Sequence, residues 1–165
     1  MTLPSPALLA NLPHLTCAKL LLAMAIAHAE GYDLPGSIIR YYNNPGGLQP
    51  GGALSKYRTP DEGWLALLAM VDGIAADNRR PYYLDMTLDA FARMWVAGSG
   101  EPHTGDYPSR WALAVSQYLN IPFDSTLREW FHPPPAGKSV TASTDSPAGT
   151  PPAATALASP ANPQP

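Results

Sequence analysis

The sequence is poor in charge and in long apolar runs, and both shortages exclude classes of protein. Only 14% of its 165 residues are Asp, Glu, Lys or Arg, and the net charge is -3. The basic side chains form no cluster beyond Arg79-Arg80, so the electrostatic footprint of a nucleic-acid-binding protein is missing and no nucleic acid is expected as a partner. No stretch reaches the roughly 18 to 20 apolar residues that a membrane-spanning helix needs, so no membrane span is expected.

Cysteine and metal-binding patterns are scarce as well. A single cysteine, Cys17, excludes an internal disulfide, and its place in an apolar stretch predicts that the thiol packs against other side chains. The four histidines show no metal-ligand spacing with one another or with Cys17, so we expect neither a metal nor a cofactor. A fold without disulfides suits the cytoplasm or the outside of the cell, which leaves the localisation unknown.

What the sequence does contain is helical periodicity around one core. The hydrophobic fraction of 45% suits a single globular domain, mainly α. Between Gly31 and Thr59 the dense glycines and prolines predict a loop or a short hairpin. Apolar spacing and capping residues predict four main helices and a shorter one, over about Thr16 to Glu30, Thr59 to Ile74, Thr87 to Val96, Pro108 to Leu119 and Ser125 to Phe131.

The two ends of the chain differ from its middle. Residues 1–14 carry three prolines and little periodicity, and we expect them to lie as a leader over the surface of a domain at 15–132. Residues 133–165 are almost entirely Pro, Ala, Ser, Thr and Gly, which cannot bury enough apolar surface to offset the entropy of ordering, so they are predicted to be a disordered tail.

Glu30 is the candidate catalytic residue because it ends the most apolar helical stretch. Partial burial and the negative end of the helix dipole both disfavour a carboxylate there, so the group could hold a proton near neutrality and deliver it as a general acid. The alternative is a solvated Glu before a helix-ending Gly31. The run closing on Ala27-His28-Ala29 also resembles a signal-peptide cleavage site, but the region before Leu15 contains no Lys or Arg, so we favour a helix of the mature protein.

The loop that follows supplies the parts of a carbohydrate site. Asn43 and Asn44 precede Pro45-Gly46, which suits the central positions of a type II turn. Amides hydrogen-bond hydroxyl and acetamido groups, aromatic faces cover sugar rings, and glycines let a ligand approach the main chain. The amides could equally be needed for the turn itself.

The order of these elements resembles a family. A Glu-Gly pair at the end of a buried helix, Asn43-Asn44-Pro45-Gly46 about a dozen residues later, and Tyr57 before Thr59-Pro60-Asp61-Glu62-Gly63-Trp64 look like the lysozyme-like lytic transglycosylases and phage muramidases. The resemblance covers about Thr16 to Trp130. It implies a lysozyme-like α+β domain that acts on the cell wall or in the periplasm, with a possible phage origin or a place in a phage or secretion assembly.

The resemblance also implies a substrate and a site. Glu30 would protonate the glycosidic oxygen between N-acetylmuramic acid and N-acetylglucosamine in peptidoglycan strands. The expected substrate-binding residues are Asn43, Asn44, Gly46, Gln49, Tyr57 and Tyr107.

A second catalytic carboxylate is not expected. Asp61 and Glu62 are better explained as favourable charges at a helix start, and neither Asp33 nor Glu101 is compelling. A single-acid path, assisted by the substrate's acetamido group and completed by water or the muramoyl 6-hydroxyl, therefore fits best.

Two rival functions remain open. One is a catalytically inactive protein of the same fold that binds wall glycan or serves as a structural part of an assembly. The other is a helical adaptor in which Glu30 is only a helix end. The tryptophans Trp64, Trp95, Trp111 and Trp130 are interpreted as core residues, and of these Trp111 is the one that could contact a ligand.

Overall fold

The computed structural model describes residues 3–97 and 107–133. This part of the chain is mainly helical. Its helices are α1 Pro6–Ala10, α2 Cys17–Ala29, α3 Ile38–Tyr41, α4 Pro60–Ala75, α5 Leu88–Ala97, α6 Tyr107–Leu119 and α7 Leu127–Phe131, with a 3-10 turn at Pro50–Gly52.

Helix α2 is central to the core. It packs against α4 and α6, and α5 packs against α6. The reason lies in its sequence, since small and branched apolar residues occupy almost all of its second half. Five of these side chains are completely buried: Leu22, Ala23, Ala25, Ile26 and Ala27. None of the helices in the described ranges is long and apolar enough to cross a bilayer.

The predicted main helices are confirmed, and their caps explain where they begin. The Thr16 hydroxyl accepts the Lys19 N–H at the start of α2, and the Thr59 hydroxyl accepts the Glu62 N–H at the start of α4. Glu62 stands three residues after Thr59, a spacing that allows a capping box at α4. The box is only half formed, because the Glu62 carboxylate accepts the N–H of Arg58 and not that of Thr59.

A complete capping box occurs instead at α7. The Thr126 hydroxyl accepts the Glu129 N–H, and the Glu129 carboxylate accepts the Thr126 N–H. Thr126 also forms an isolated antiparallel bridge with Thr87, which ties the start of α7 to the start of α5.

One expectation needs correction, and the structure adds detail to two others. Cys17 is exposed, because it occupies the first position of α2 before that helix enters the core, so its thiol is not packed. The region 31–59 forms no hairpin; it consists of turns, the short helix α3 and the 3-10 turn. Within the leader, α1 forms because Ser5 caps it, and Ser5 in turn donates to Asp61.

Two other expectations fall on residues outside the described ranges. These are the assessment of Glu101 as a second carboxylate, and the predicted tail, of which only residue 133 is described.

Candidate functional site

Glu30 is the residue at which α2 ends, and the backbone fixes its position. The Gly31 N–H donates to the His28 carbonyl and the Tyr32 N–H donates to the Ala27 carbonyl, at 2.9 Å each, which is the Schellman arrangement. Gly31 has a φ of +76°, a conformation that favours glycine. Because Tyr32 is buried against Trp64, this helix end is attached firmly to the core.

Two tryptophans hold the carboxyl group of Glu30. The indole N–H of Trp111 donates to Oε1 at 2.9 Å, and that of Trp95 donates to the same oxygen at 3.1 Å. Both side chains are buried, and their rings stack with centroids 6.2 Å apart. Helices α5 and α6 therefore present two donors to one acceptor at the end of α2.

This arrangement determines which oxygen of Glu30 carries a proton. An indole N–H can only donate, and two of them donate to Oε1, so both lone pairs of that oxygen are occupied and none is left to carry a proton. A proton on Glu30 accordingly resides on Oε2. That oxygen faces Gly47, since a Cβ atom built at Gly47 would lie 2.5 Å from it.

The electrostatics of the site favour the neutral acid. Burial raises the pKa of Glu30 from 4.5 to about 7, against the opposing effect of the hydrogen bonds from Trp111 and Trp95. Tyr107 is close enough to respond to Glu30: burial raises the pKa of its hydroxyl, and the negative charge of Glu30 raises it further. Glu30 is therefore poised to hold or release a proton near neutral pH.

Glu30 opens into a groove with two lobes. The small lobe has a volume of about 290 Å³ and is lined by Glu30, Gly47, Gln49, Trp95, Val96 and Tyr107. The large lobe has a volume of about 740 Å³ and shares Gly47, Gln49 and Trp95 with the small one. The shared residues make the two lobes neighbours along one groove, with the acid in the small lobe.

Glu30 is the one carboxylate among the described residues that line either lobe. The other acids considered from the sequence have different partners. Asp33 faces the His28 ring at 2.9 Å, Asp61 accepts from Ser5, and Glu62 pairs with Arg58 at 3.2 Å. No group of His, Cys, Asp and Glu in the described part could hold a metal ion.

Asn43 and Asn44 use their amides on the loop itself. The Asn43 side chain donates to the Tyr57 carbonyl at 3.1 Å. Asn44 is fully buried, donates to the Leu48 and Ser55 carbonyls and accepts the Leu48 N–H. Neither residue lines a lobe of the groove. Their observed role is to shape the loop, and their binding of substrate stays a prediction.

The turn in this loop differs from the one expected. The Gly47 N–H donates to the Asn44 carbonyl at 3.1 Å, so Pro45 and Gly46 do occupy the centre of a turn. Gly46 does not have a positive φ, which a type II turn requires at that position. The left-handed residue is Gly47, with a φ of +58°.

Gly63 explains how closely the loop approaches α4. A Cβ atom at Gly63 would lie 1.7 Å from the Asn43 carbonyl oxygen, so only glycine permits this contact.

The structure thus brings together part of the expected site. Tyr107 lines the small lobe with Glu30, Gln49 lines both lobes, and Gly46 and Tyr57 line the large lobe. Sequence reasoning missed Gly47 and the polar role of Trp95. The available signal was that a buried indole N–H needs an acceptor, and Glu30 is the acidic residue at the end of the neighbouring buried helix.

Comparison of the chain with protein families, with curated proteins and with solved structures finds no match.

Proposed function

We propose that the protein is a peptidoglycan-cleaving glycosidase, a lysozyme-like lytic transglycosylase or muramidase. Its substrate would be the bond between N-acetylmuramic acid and N-acetylglucosamine. The observation that carries the proposal is the partly buried Glu30, with a pKa of about 7 and its Oε1 held by two indole N–H groups, in a groove. A solvated helix end would have neither the raised pKa nor the two donors.

In the first step Glu30 acts as the acid. Its Oε2 proton passes to the glycosidic oxygen while the bond from that oxygen to C1 breaks, and the substrate's acetamido oxygen bonds to C1. The negative charge left on Glu30 is stabilised by the indole donors of Trp95 and Trp111.

In the second step Glu30 acts as the base. Water or the muramoyl 6-hydroxyl attacks C1, the bond to the acetamido oxygen breaks, and the carboxylate takes the proton of the attacking hydroxyl. A substrate-assisted path needs one carboxylate, which agrees with the single acid among the described lining residues.

The shape of the groove suits a polymer better than a small molecule. The two lobes are adjacent, open and contiguous past Glu30, and aromatic side chains line both. Such surfaces cover the apolar faces of successive sugar rings. A lysozyme-like fold and action at the cell wall are part of this proposal.

Replacement of the acid tests the proposal. Glu30→Gln keeps the shape and the acceptor for both indoles but has no transferable proton, so digestion of purified wall material in a zymogram should fall by at least about a hundredfold. Asp124→Asn, a change of the same kind at an exposed acid, should retain activity. Retention of more than a few per cent of wild-type activity by Glu30→Gln would refute the assignment of the acid.

The inactive glycan-binding alternative has a distinct outcome. In that case the wild-type protein would sediment with wall glycan but release no fragments, whereas an adaptor would do neither.

A further inference from the structure

The large lobe carries positive charge in a protein whose net charge is negative. Its described lining includes Arg79 and Arg80 but no Asp or Glu, although the whole chain has a net charge of -3. Cations gathered in one lobe of a groove attract anionic ligands and raise their local concentration.

The two arginines differ in what their guanidinium groups already bind. Arg80 is occupied: it pairs with Asp77 at 3.3 Å, donates to the Tyr82 carbonyl and lies 4.4 Å from the centre of the Tyr83 ring. Arg79 has no carboxylate within ion-pair distance among the described residues. The charge of Arg79 is therefore available to a ligand.

Arg79 is nevertheless held in place. Its Nε donates to the Met70 sulfur at 3.2 Å, and Met70 lines the same lobe. Its methylene groups lie over Gly73 of α4, where an added Cβ would be 3.2 Å from the Arg79 Cβ and 3.6 Å from its Cδ. A thioether is a weak acceptor, so the Nη groups keep their donors for a stronger one. The two Nη groups of the planar guanidinium can donate side by side, which matches the two oxygens of a carboxylate.

From these observations we infer that the large lobe binds a carboxylate group of the glycan strand and that Arg79 is the residue that recognises it. The inference rests on the proposed function for the identity of the strand. Two carboxylates of peptidoglycan have the required chemistry: the lactyl group of N-acetylmuramic acid where the peptide is absent, and the peptide substituent where it is present.

Binding measurements test Arg79 independently of cleavage. Full-length Glu30→Gln protein would be titrated calorimetrically with peptide-free strands, with peptide-bearing strands and with N-acetylglucosamine oligomers, which have no carboxylate. Adding Arg79→Gln should weaken binding of a carboxylate-bearing strand at least about tenfold and leave the oligomer unaffected. Arg79→Lys should retain part of the affinity.

Arg40→Gln is the matched control. Arg40 is also exposed, has no ion pair with a described carboxylate, and lies on α3 without lining either lobe, so its replacement removes the same charge and leaves the lining of the groove unchanged. Affinities should be unchanged in this variant. The strand type that loses more affinity in Arg79→Gln identifies which carboxylate is bound.

An equal loss of affinity for all three ligands in Arg79→Gln, or no loss of affinity for either strand, would overturn the inference, provided that the melting temperature of this variant is unchanged. A wild-type protein that cleaves nothing but binds strands through Arg79 would refute the proposed function and leave the carboxylate site standing.

Discussion

The groove has two walls, one formed by α5 and α6 and the other by the loop of residues 43–49, and they use their polar groups differently. On one wall, the apolar faces of α5 and α6 carry Trp95 and Trp111, whose indole N–H groups both donate to Glu30, and Tyr107 of α6 lines the small lobe beside it. On the other wall, the loop of residues 43–49 is rich in polar groups, yet the amides of Asn43 and Asn44 are bonded to backbone groups of the loop and its neighbours.

The two walls therefore have different roles around Glu30. The apolar wall orients the acid and moderates its pKa, because its donors are desolvated and have few other acceptors. The loop wall contributes space and the side chain of Gln49: the amides of Asn43 and Asn44 hold the loop backbone, and Gly47 leaves room for Oε2. A side chain at Gly47 should therefore affect the chemistry more than the loss of a loop amide.

The largest effect is expected from Gly47→Ala. The new methyl carbon would lie 2.5 Å from Oε2, so the carboxyl group must leave its position between the indoles. A displacement of about 1 Å at a reacting group can cost about a hundredfold in rate, and we expect turnover to fall by that order. Turnover on soluble wall fragments measures it.

Gly36→Ala is the matched control for this change. Gly36 also has a positive φ, of +78°, but a Cβ atom added there would have no neighbouring atom within 4 Å. Both variants place alanine at a positive φ and should have a lower melting temperature than the wild type, while only Gly47→Ala should lose activity. Equal activity of the two variants would mean that Gly47 does not constrain the acid.

The second-largest effect is expected in Glu30→Gln, as a change in how its stability depends on pH. The pKa of Glu30 is near 4.5 in the unfolded chain and about 7 in the folded protein, so the folded state binds this proton more tightly. Stability is therefore lost as the pH rises from 4.5 to 7, and the loss is complete above 7. The difference between the two pKa values corresponds to a loss of at most about 3 kcal/mol in the free energy of unfolding.

Glutamine has no proton to lose, so the variant avoids this penalty. Its free energy of unfolding should match that of the wild type near pH 4 and exceed it by about 1 to 3 kcal/mol at pH 8. Urea unfolding at both pH values measures this. A difference independent of pH would show that the pKa of Glu30 is not raised by folding.

A smaller effect is expected from Trp111→Phe. The Trp111 hydrogen bond lowers the pKa of Glu30, so removing it should raise that pKa. If the protonated acid is the active form, the rate declines as the pH rises past about 7 in the wild type, and this decline should move to higher pH in the variant. At pH values below this decline, the loss of one donor that stabilises the Glu30 carboxylate should slow turnover about two- to tenfold.

Trp130→Phe is the control, because its indole N–H donates to the Ala18 carbonyl at 3.1 Å and not to Glu30. Trp130→Phe should not shift the pH dependence of the rate. A profile for Trp111→Phe that moved to lower pH would contradict the role given to the indole.

The two walls also explain what the sequence could predict. Helix limits followed from local signals, since Thr16 and Thr59 cap α2 and α4 as expected and Gly31 ends α2. Glu30 was identifiable because an acid at the end of an apolar helix is unusual wherever the rest of the chain lies. These inferences need only residues that are neighbours in sequence.

The contacts that complete the site join distant segments. Glu30 and Trp111 are 81 positions apart, and Gly63 meets Asn43 only because α4 packs against the loop. Periodicity places Trp95 and Trp111 in the core correctly but does not say where an indole N–H points. For the same reason, the amide of Asn43 looked available to substrate although the Tyr57 carbonyl accepts from it.

The smallest effect is expected from Asn43→Ala, and it separates a shaping amide from a binding one. Asn43 has a φ of +51°, which asparagine tolerates better than alanine, and it donates one hydrogen bond to Tyr57. Losing both should lower the free energy of unfolding by about 1 kcal/mol, while turnover per folded molecule stays within about twofold of the wild type. Asn43→Gly is the matched variant, because glycine accepts the positive φ and loses only the hydrogen bond, so it should be the more stable of the two. A drop in turnover of ten- to a hundredfold in both variants, with unchanged melting temperatures, would instead show that the amide contacts glycan. The loop wall would then contribute binding groups as well as space.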